Sequence, residues 1–320
     1  MLTKIGVIGG GMIGGVLCQE IARRKLARRL ALVDIMPPDL AKGKCLDIAE
    51  GSPVLGFDVD LAGGKTYEVL DGCDLVVNTA GVPRKPKPDG TLPTREELLA
   101  TNLKITDQVG AGIARHCPEA IVISIANPLD AIVYRLAQIL GGPRSRLMGM
   151  AGVLDSARYR YFVSQAAGVS VENVQALVLG GHGDTMVPIR SACRVAGLPV
   201  EQFLDDATLD AIEKRTRMAG GEVVKLLGSG SAFVSPAWSA LEMAEAVIFD
   251  KKKIVPVSAR LEGEYGIEGL FVGVPAILGR GGIERVVVIP LSADEKAGLE
   301  RSIASVRKTS EEVDAFAAGS

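Results

Sequence analysis

The chain has 320 residues, of which 48% are hydrophobic and 23% are charged. These proportions, with a mean hydropathy of +0.26, exclude a disordered chain and indicate a compact protein with a large core. The 36 basic and 38 acidic residues leave a formal net charge of -2. That balance excludes a field that attracts nucleic acid or an anionic membrane, so we expect neither partner. The length predicts two domains, which we place at residues 1–150 and 151–320.

The cysteines are five in number and widely scattered: Cys18, Cys45, Cys73, Cys117 and Cys193. An odd number without any Cys-x-x-Cys pair predicts neither a disulfide framework nor a metal site. We therefore expect free thiols in a reducing, cytoplasmic compartment. The apolar segment near the N-terminus is too short to span a bilayer and is interrupted by glycines, so we predict no signal peptide and no membrane span.

A glycine-rich turn follows a short apolar strand that we predict at Lys4–Gly9. Its Gly-x-Gly-x-x-Gly pattern opens a helix, and the next predicted strand ends in Asp34. In such a unit the glycines let the backbone approach a pyrophosphate, the helix N-terminus stabilises its charge, and the acid binds a ribose. No arginine follows Asp34 directly, so the pattern favours NAD over NADP. The turn residues that we expect to bind the cofactor are Gly9, Gly11, Met12, Ile13 and Gly14.

A strand is predicted over Val54–Ala62, although the glycines around it make its limits uncertain, and a further buried strand is predicted at Asp74–Gly81. It ends in the small residues Thr79, Ala80 and Gly81. Small side chains at the carboxyl end of a parallel strand leave room for a ligand. We therefore expect the cofactor to pass over this strand end.

The segment Val82–Pro93 contains four prolines and is predicted as a loop. It carries Arg84, Lys85 and Lys87, and Arg95 follows at the start of the next helix. These cations form either a local cluster near the nicotinamide end of the cofactor or an ordinary solvated loop.

Asn127 lies at the carboxyl end of the strand predicted at Ala120–Pro128. There its amide is placed to donate hydrogen bonds to a carbonyl or carboxylate, or it caps the helix that begins at Leu129. His116, near the end of the preceding helix, is interpreted as structural because an imidazole at that position interacts well with the terminal carbonyl groups.

The second histidine of the chain lies in Gly180–Asp184, between glycines and after an apolar run. An imidazole both gives and takes a proton near neutral pH, so His182 is a candidate for proton transfer, although a structural histidine in a tight turn is an equal alternative. Asp155 and Arg158 share one face of a predicted helix. They either pair with each other, or Asp155 orients His182 while Arg158 binds a substrate carboxylate.

Five segments carry a resemblance to a known family: Gly9–Gly14 with Asp34, Ala80–Pro86, Ile125–Pro128, Leu154–Arg158 and Gly180–Asp184. In order and spacing, over nearly the whole chain, they resemble the lactate/malate dehydrogenase family. This resemblance implies an α/β fold, with a Rossmann doubly wound parallel sheet followed by a C-terminal α+β substrate domain. It also implies NAD as the cofactor and a small-molecule dicarboxylate as the substrate.

The resemblance assigns roles to individual residues. His182 is implied as proton donor and acceptor, Asp155 as its partner, and Arg158 as the group that binds the first substrate carboxylate. Arg95 is implied to polarise the reacting carbonyl when the loop before it closes. The residues that it places beside cofactor or substrate are Asn102 and Asn127.

Within the family the chain resembles the malate type, which carries an arginine at the position of Arg84 to pair with the second carboxylate. The two loop arginines of that type are usually closer together than Arg84 and Arg95, so this loop is longer. We expect oxaloacetate as the substrate. A lactate or broader 2-hydroxy acid dehydrogenase, and a non-catalytic NAD-binding protein, are the alternatives.

The resemblance also implies subunit contacts through the helices near Cys45–Glu50 and Met243–Phe249. We therefore expect a homo-oligomer, either a dimer or a tetramer. Trp238, the only tryptophan, is expected in the core or in such an interface.

Overall fold

A computed structural model describes residues 3–83, 94–228 and 230–319 of the chain. Its N-terminal half contains six strands: β1 (Lys4–Ile8), β2 (Arg29–Val33), β3 (Asp60–Gly64), β4 (Leu75–Asn78), β5 (Ile121–Ser124) and β6 (Leu147–Gly149). They pair in parallel in the order β3-β2-β1-β4-β5-β6. The predicted doubly wound parallel sheet is confirmed.

The helices of this half are α1 (Met12–Arg23), α2 (Leu40–Glu50), the short α3 (Ser52–Leu55), α4 (Arg95–His116) and α5 (Leu129–Leu140). Every residue of β4 and of β5 is buried. Continuous burial is what strands show when helices cover both faces of a parallel sheet, and it explains why these strands have uninterrupted apolar sequences.

The strand predicted over Val54–Ala62 is wrong in its first part. Val54 lies in α3, which has a proline in its first turn, and β3 begins only at Asp60. Proline has the backbone angle of a first helical turn, and Gly56, at φ 68°, ends the helix. Val54 is 84% exposed, so its apolar side chain does not mark a buried strand.

The second half adds four helices: α6 (Gly152–Ala167), α7 (Asp206–Leu227), α8 (Val234–Ile248) and α9 (Ala293–Ala318). Its strands are β7 (Val174–Gln175), β8 (Val178–Leu179), β9 (Val187–Pro188), β10 (Arg194–Val195), β11 (Leu198–Pro199), β12 (Lys253–Glu262), β13 (Glu268–Gly279) and β14 (Gly282–Val286).

The large sheet continues across the predicted domain boundary. β12 pairs antiparallel with β6 through Ser258 and Gly149, and β13 and β14 follow it, so the sheet has nine strands among the described residues. The second half therefore extends the parallel sheet by three antiparallel strands. No strand break separates the two halves at this point.

The hairpin of β8 and β9 presents the segment Gly180–Asp184 between its two strands. Gly180 also forms a bridge with Gly273 of β13, with backbone hydrogen bonds of 2.9 and 3.0 Å in the two directions. Its φ of +91° is rarely adopted by other residues, and a Cβ atom there would lie 2.5 Å from Ser302 Oγ. The turn that carries His182 is thus fixed to the sheet.

The start of α9 is fixed by a buried carboxylate. Glu295 is 8% exposed and accepts hydrogen bonds from the Ser292 N–H (2.8 Å), the Ser191 N–H (2.9 Å) and the Ser191 hydroxyl (2.8 Å). Ser292 in turn accepts from the Glu295 N–H and completes a capping box. Burial opposes the charged form, but these donors outweigh it and lower the pKa of Glu295.

We expect Glu295→Gln to destabilise the protein by about 2 kcal/mol, because an amide cannot accept all the hydrogen bonds that the carboxylate accepts. The folded-state pKa is lowered, so this contribution is present above the pKa of the unfolded glutamate and is lost as the pH falls through the folded-state value. Chemical denaturation at several pH values measures both effects. Glu300→Gln, an exposed position on the same helix, is the matched control, and equal losses in the two variants would contradict the prediction.

Candidate functional site

The glycine turn between β1 and α1 fits a dinucleotide. A Cβ atom at Gly14 would lie 1.9 Å from the carbonyl oxygen of Gly9, so only glycine allows the helix to start this close to the strand. At Gly11 no heavy atom lies within 4 Å of the Cβ position, so this side of the residue faces open space. The first turn of α1 carries no acidic residue and no side-chain cap. This arrangement leaves a helix N-terminus accessible to an anion such as a pyrophosphate.

Asp34 is held at the carboxyl end of β2 by the backbone on both sides. Its Oδ2 accepts a hydrogen bond from the Gly10 N–H (2.5 Å) and its Oδ1 accepts from the Met36 N–H (2.9 Å). The carboxylate is therefore fixed next to the glycine turn. Its charge suits a ribose diol and repels a 2′-phosphate, so the residues present fit NAD.

The end of β4 is organised by side chains that bind backbone groups. Thr79 Oγ1 lies 3.0 Å from the carbonyl oxygens of both Ile8 and Gly9. Asn102, which is 1% exposed, accepts from the Val82 N–H (2.8 Å) and donates to the Val82 carbonyl (3.2 Å). The structure thus uses the amide of Asn102 to fix the chain beyond Gly81. A direct contact of Asn102, Thr79, Ala80 or Gly81 with the cofactor stays a prediction.

His182 and Asp155 form a close pair in which the carboxylate is buried and the ring is half-buried. His182 Nδ1 and Asp155 Oδ2 are 2.8 Å apart, and because a carboxylate only accepts, the ring nitrogen donates. The side chain of Asp155 is 2% exposed and that of His182 is 14% exposed. Asp155 lies in the first turn of α6, where the helix dipole stabilises a negative charge. Nε2, the other ring nitrogen, is left to exchange a proton.

Arg158 joins His182 and Asp155 in one cluster of charged groups. Its Nη1 donates to Asp155 Oδ1 at 3.3 Å, so Asp155 contacts His182 and Arg158 at once. The two alternatives that helical spacing leaves open are therefore compatible. Both His182 and Arg158 line a cleft of about 860 Å³ beside α7, with further cations at Lys214, Arg215, Arg217 and Lys225.

Burial and charge act in opposite directions on His182. Burial disfavours the imidazolium, but the adjacent Asp155 carboxylate and, more weakly, Asp130 outweigh it, so the pKa of His182 is raised above its usual value. Arg158 lies on the same cluster and its positive charge opposes this shift. Burial lowers the pKa of Arg158 itself, against the attraction of Asp155. The cluster is therefore suited to hold a proton on His182.

Asp130 is a site residue that the sequence analysis missed. Its Oδ2 accepts from the His182 backbone N–H (2.9 Å), and its Oδ1 accepts from the Ser258 hydroxyl of β12 (3.2 Å). Burial raises the pKa of Asp130, against the stabilising hydrogen bond from His182. The available signal was an acid in the first turn of the helix that Pro128 starts. Nothing in the sequence indicated that this acid faces a residue 52 positions away.

A second anchor of the same turn comes from α9. Ser302, which is fully buried, accepts from the Gly181 N–H at 2.8 Å and lies 3.2 Å from Thr185 Oγ1. No sequence motif marks this serine. With Asp130 and Gly273 it holds the histidine turn from three different elements.

The remaining predicted site residues lie elsewhere or outside the described ranges. Arg95 begins α4, and its Nη2 donates to Thr309 Oγ1 of α9 at 3.1 Å. Within the described ranges no hydrogen bond joins Arg95 to His182 or Asp155. Asn127 is exposed, and the cap position of α5 is occupied by Pro128 without any side-chain hydrogen bond. Arg84 lies outside the described residues.

Neither a metal nor a membrane is indicated by the described part of the chain. No group of three or more His, Cys, Asp or Glu side chains there is arranged to hold a metal ion. No helix in the same ranges is long and apolar enough to cross a bilayer.

Comparison with known proteins places both halves of the chain. Residues 3–149 match the NAD-binding domain of lactate/malate dehydrogenases, and residues 152–317 match their alpha/beta C-terminal domain. The chain belongs to the lactate/malate dehydrogenase family. Its N-terminal half is an NAD-binding domain of this family, which confirms the prediction of NAD.

Relatives of both substrate types are similar to the chain. Malate dehydrogenase 1 of Anaeromyxobacter dehalogenans (strain 2CP-C) is 52% identical over 308 residues, covering 96% of each chain. The malate dehydrogenase structure from Salinibacter ruber has a TM-score of 0.92 at 40% identity, covering 99% of each chain. The lactate dehydrogenase structure from Cryptosporidium parvum, with lactic acid and nicotinamide adenine dinucleotide bound, also has a TM-score of 0.92, at 39% identity and 98% coverage of each. The fold alone therefore does not distinguish the two substrates.

The charge of Asp130 raises the pKa of His182, so Asp130→Asn should lower it. Asparagine can keep both hydrogen bonds, with its oxygen accepting from His182 and its amino group donating to Ser258, so the change isolates the charge. NMR titration of the His182 ring measures the effect.

The matched control for this prediction is Ser302→Ala. It removes an uncharged anchor of the same turn and should leave the His182 titration where it is in the unaltered protein. A His182 midpoint that is the same in Asp130→Asn and in the unaltered protein would contradict the role of the Asp130 charge.

Proposed function

We propose that the protein is an NAD-dependent malate dehydrogenase, which reversibly converts malate and NAD to oxaloacetate and NADH. The observation that carries this proposal is the buried contact between His182 and Asp155, with Arg158 on the same carboxylate and the cleft beside them. Family membership supports the reaction class, and the 52% identical relative named malate dehydrogenase supports the substrate.

His182 is the proposed proton donor and acceptor. When bound, NADH would supply the hydride for the carbon that bears the oxygen, and NAD would accept it in the reverse direction. In the reduction, His182 gives its Nε2 proton to the carbonyl oxygen of oxaloacetate, and in the oxidation it takes the hydroxyl proton of malate. Asp155 fixes the ring through Nδ1 and stabilises the imidazolium. Since the pKa of His182 is raised, the protonated form that the reduction requires is favoured.

Arg158 is the proposed binding group for the carboxylate next to the reacting carbon. Its guanidinium uses one nitrogen on Asp155, and a guanidinium has further N–H groups that suit a carboxylate in a two-bonded geometry. The contact with Asp155 fixes the orientation of the arginine before a substrate arrives. The substrate carboxylate would therefore lie next to the proton-transferring ring.

Arg84 and Arg95 are proposed for the remaining substrate contacts. Arg84 would pair with the second carboxylate, and Arg95 would stabilise negative charge that develops on the carbonyl oxygen. In the structure Arg95 contacts Thr309, so this role requires Arg95 to leave that contact. Asn127, exposed at the end of β5, is available to orient substrate and cofactor.

A lactate dehydrogenase is the second candidate function. The observation in its favour is that the lactate dehydrogenase of Cryptosporidium parvum matches the fold as well as the malate dehydrogenase of Salinibacter ruber does. The longer sequence spacing between Arg84 and Arg95 is the second argument for this candidate, because it departs from the spacing of the malate type. With pyruvate, which has one carboxylate, a buried Arg84 would have no partner.

The substrate is tested by NADH oxidation with oxaloacetate and pyruvate side by side. We expect kcat/KM for oxaloacetate to be higher by about 100-fold, because one buried charge pair is lost with pyruvate. Arg84→Gln should reduce this ratio, mainly by lowering the rate with oxaloacetate. Lys85→Gln, which changes the next residue in the sequence, is the control. Equal kcat/KM of the unaltered enzyme with oxaloacetate and pyruvate would contradict the assignment as a malate dehydrogenase.

The variant His182→Asn separates catalysis from cofactor binding. We expect turnover to fall by at least about 1000-fold, because the proton donor is removed, while the affinity for NADH in a fluorescence titration stays near that of the unaltered protein. His116→Asn should keep full turnover. If His182→Asn retained activity, the proton-transfer role would be wrong, and if the unaltered protein bound NADH without turning over any 2-oxo acid, a non-catalytic NAD-binding protein would replace the proposal.

We also propose a homo-oligomer in a reducing, cytoplasmic compartment. Apolar side chains are exposed on α2 and α3 and on α8, among them Leu46, Val54, Leu55 and Trp238. Trp238 is 53% exposed, so it is not a core residue of the single chain and is available for a subunit contact. All five cysteines are buried and free, which supports the compartment. A dimer and a tetramer are both compatible with these surfaces.

A further inference from the structure

Lys44 of α2 reaches the glycine turn from the side. Its Nζ donates a hydrogen bond to the carbonyl oxygen of Gly11 at 2.9 Å, and Gly11 is the residue from which α1 begins. The Cβ position of Gly15 lies 3.0 Å from the same Nζ atom. The side chain is half-buried and places a positive charge next to the first turn of α1.

This is an unfavourable place for a cation on its own. The N-terminal end of a helix carries a partial positive charge, so an ammonium group there is repelled rather than attracted. The first turn of α1 has no acidic side chain that would compensate. Asp34 is committed to the backbone N–H groups of Gly10 and Met36. Among the described ion pairs, Lys44 has no carboxylate within 4.0 Å, although Asp47 lines the same cleft between α1 and α2.

The Gly11 carbonyl uses one of the three ammonium hydrogens of Lys44, and two remain for another acceptor. An anion at the glycine turn would turn the repulsion into attraction, since it would face both the helix N-terminus and the ammonium. The glycine turn and Asp34 fit NAD, and NAD carries such an anion in its pyrophosphate. A compact point charge such as an ammonium suits a phosphate oxygen without requiring a fixed two-bonded geometry.

We propose that Lys44 is a cofactor-binding residue that contributes positive charge to the pyrophosphate of NAD and holds the glycine turn through Gly11. This inference rests on the proposed NAD-dependent function. Lys44 is not part of the glycine pattern and lies 33 residues from Gly11 in the sequence. Its contribution adds a side-chain charge to a site otherwise formed by backbone N–H groups.

The test compares Lys44→Met with Lys42→Met, a lysine of the same helix that is exposed and pairs with Asp39. Fluorescence titration and calorimetry give the dissociation constants for NADH, for ADP-ribose, which keeps the pyrophosphate, and for adenosine, which lacks it. We expect Lys44→Met to weaken NADH and ADP-ribose by about tenfold and to leave adenosine unchanged. Lys42→Met should leave all three unchanged, and Lys44→Arg, which keeps the charge, should restore most of the affinity.

The salt dependence gives a second readout of the same charge. In Lys44→Met the affinity for ADP-ribose should fall less between low and high ionic strength than in the unaltered protein, because one screened interaction has been removed.

Equal weakening of ADP-ribose and adenosine binding in Lys44→Met would show that Lys44 only connects α2 to the turn, and it would overturn the proposal. Unchanged binding of NADH in Lys44→Met would also overturn the proposal. Failure of the unaltered protein to bind NADH at all would overturn the proposed function, and the role of Lys44 with it.

Discussion

A buried imidazolium is stable only when negative groups compensate for the water that it has lost. In this chain the compensation comes from two carboxylates, Asp155 at the ring and Asp130 at the backbone of the same residue. Both acids lie in the first turn of a helix, α6 and α5 respectively, where the helix dipole favours a negative charge. The placement of two helix N-termini around one turn is thus the constraint on which the rest of the site depends. It requires the elements before and after the domain boundary to pack against each other.

The electrostatic arrangement at the glycine turn of the N-terminal half is the opposite. There the helix N-terminus is left without an acid, and the N–H groups of its first turn have no side-chain cap. Close packing of Gly14 on Gly9 brings the helix start to the end of β1, and Asp34 is fixed beside it. One helix N-terminus therefore accepts an external anion, while two others stabilise anions of the protein itself.

Much of this arrangement follows from local sequence patterns. The apolar segments predicted β1, β4 and β5, the glycine spacing predicted the turn, and Pro128 predicted the start of α5, because these features depend on neighbouring residues. The strand predicted at Val54 failed because one proline in a four-residue segment outweighed the apolar pattern. Asp130 and Ser302 were missed for a different reason: each acts on a backbone N–H that the fold, and not the chain, brings near. Arg84 belongs to a segment outside the described residues, so its role stays a prediction.

The pairing of β12 with β6 has a mechanical consequence. Ser258, opposite Gly149 in this pairing, also donates to Asp130, and Asp130 accepts from the His182 N–H, so these two residues connect the ladder to the histidine turn. A rigid rotation of the second half against the first would break a continuous sheet and separate His182 from the acid that holds its backbone. The continuous sheet therefore opposes a hinge motion between the two halves. A change in access to the cleft that leaves this sheet intact has to come from segments outside it, and it leaves the spacing between the cofactor half and the proton donor unchanged.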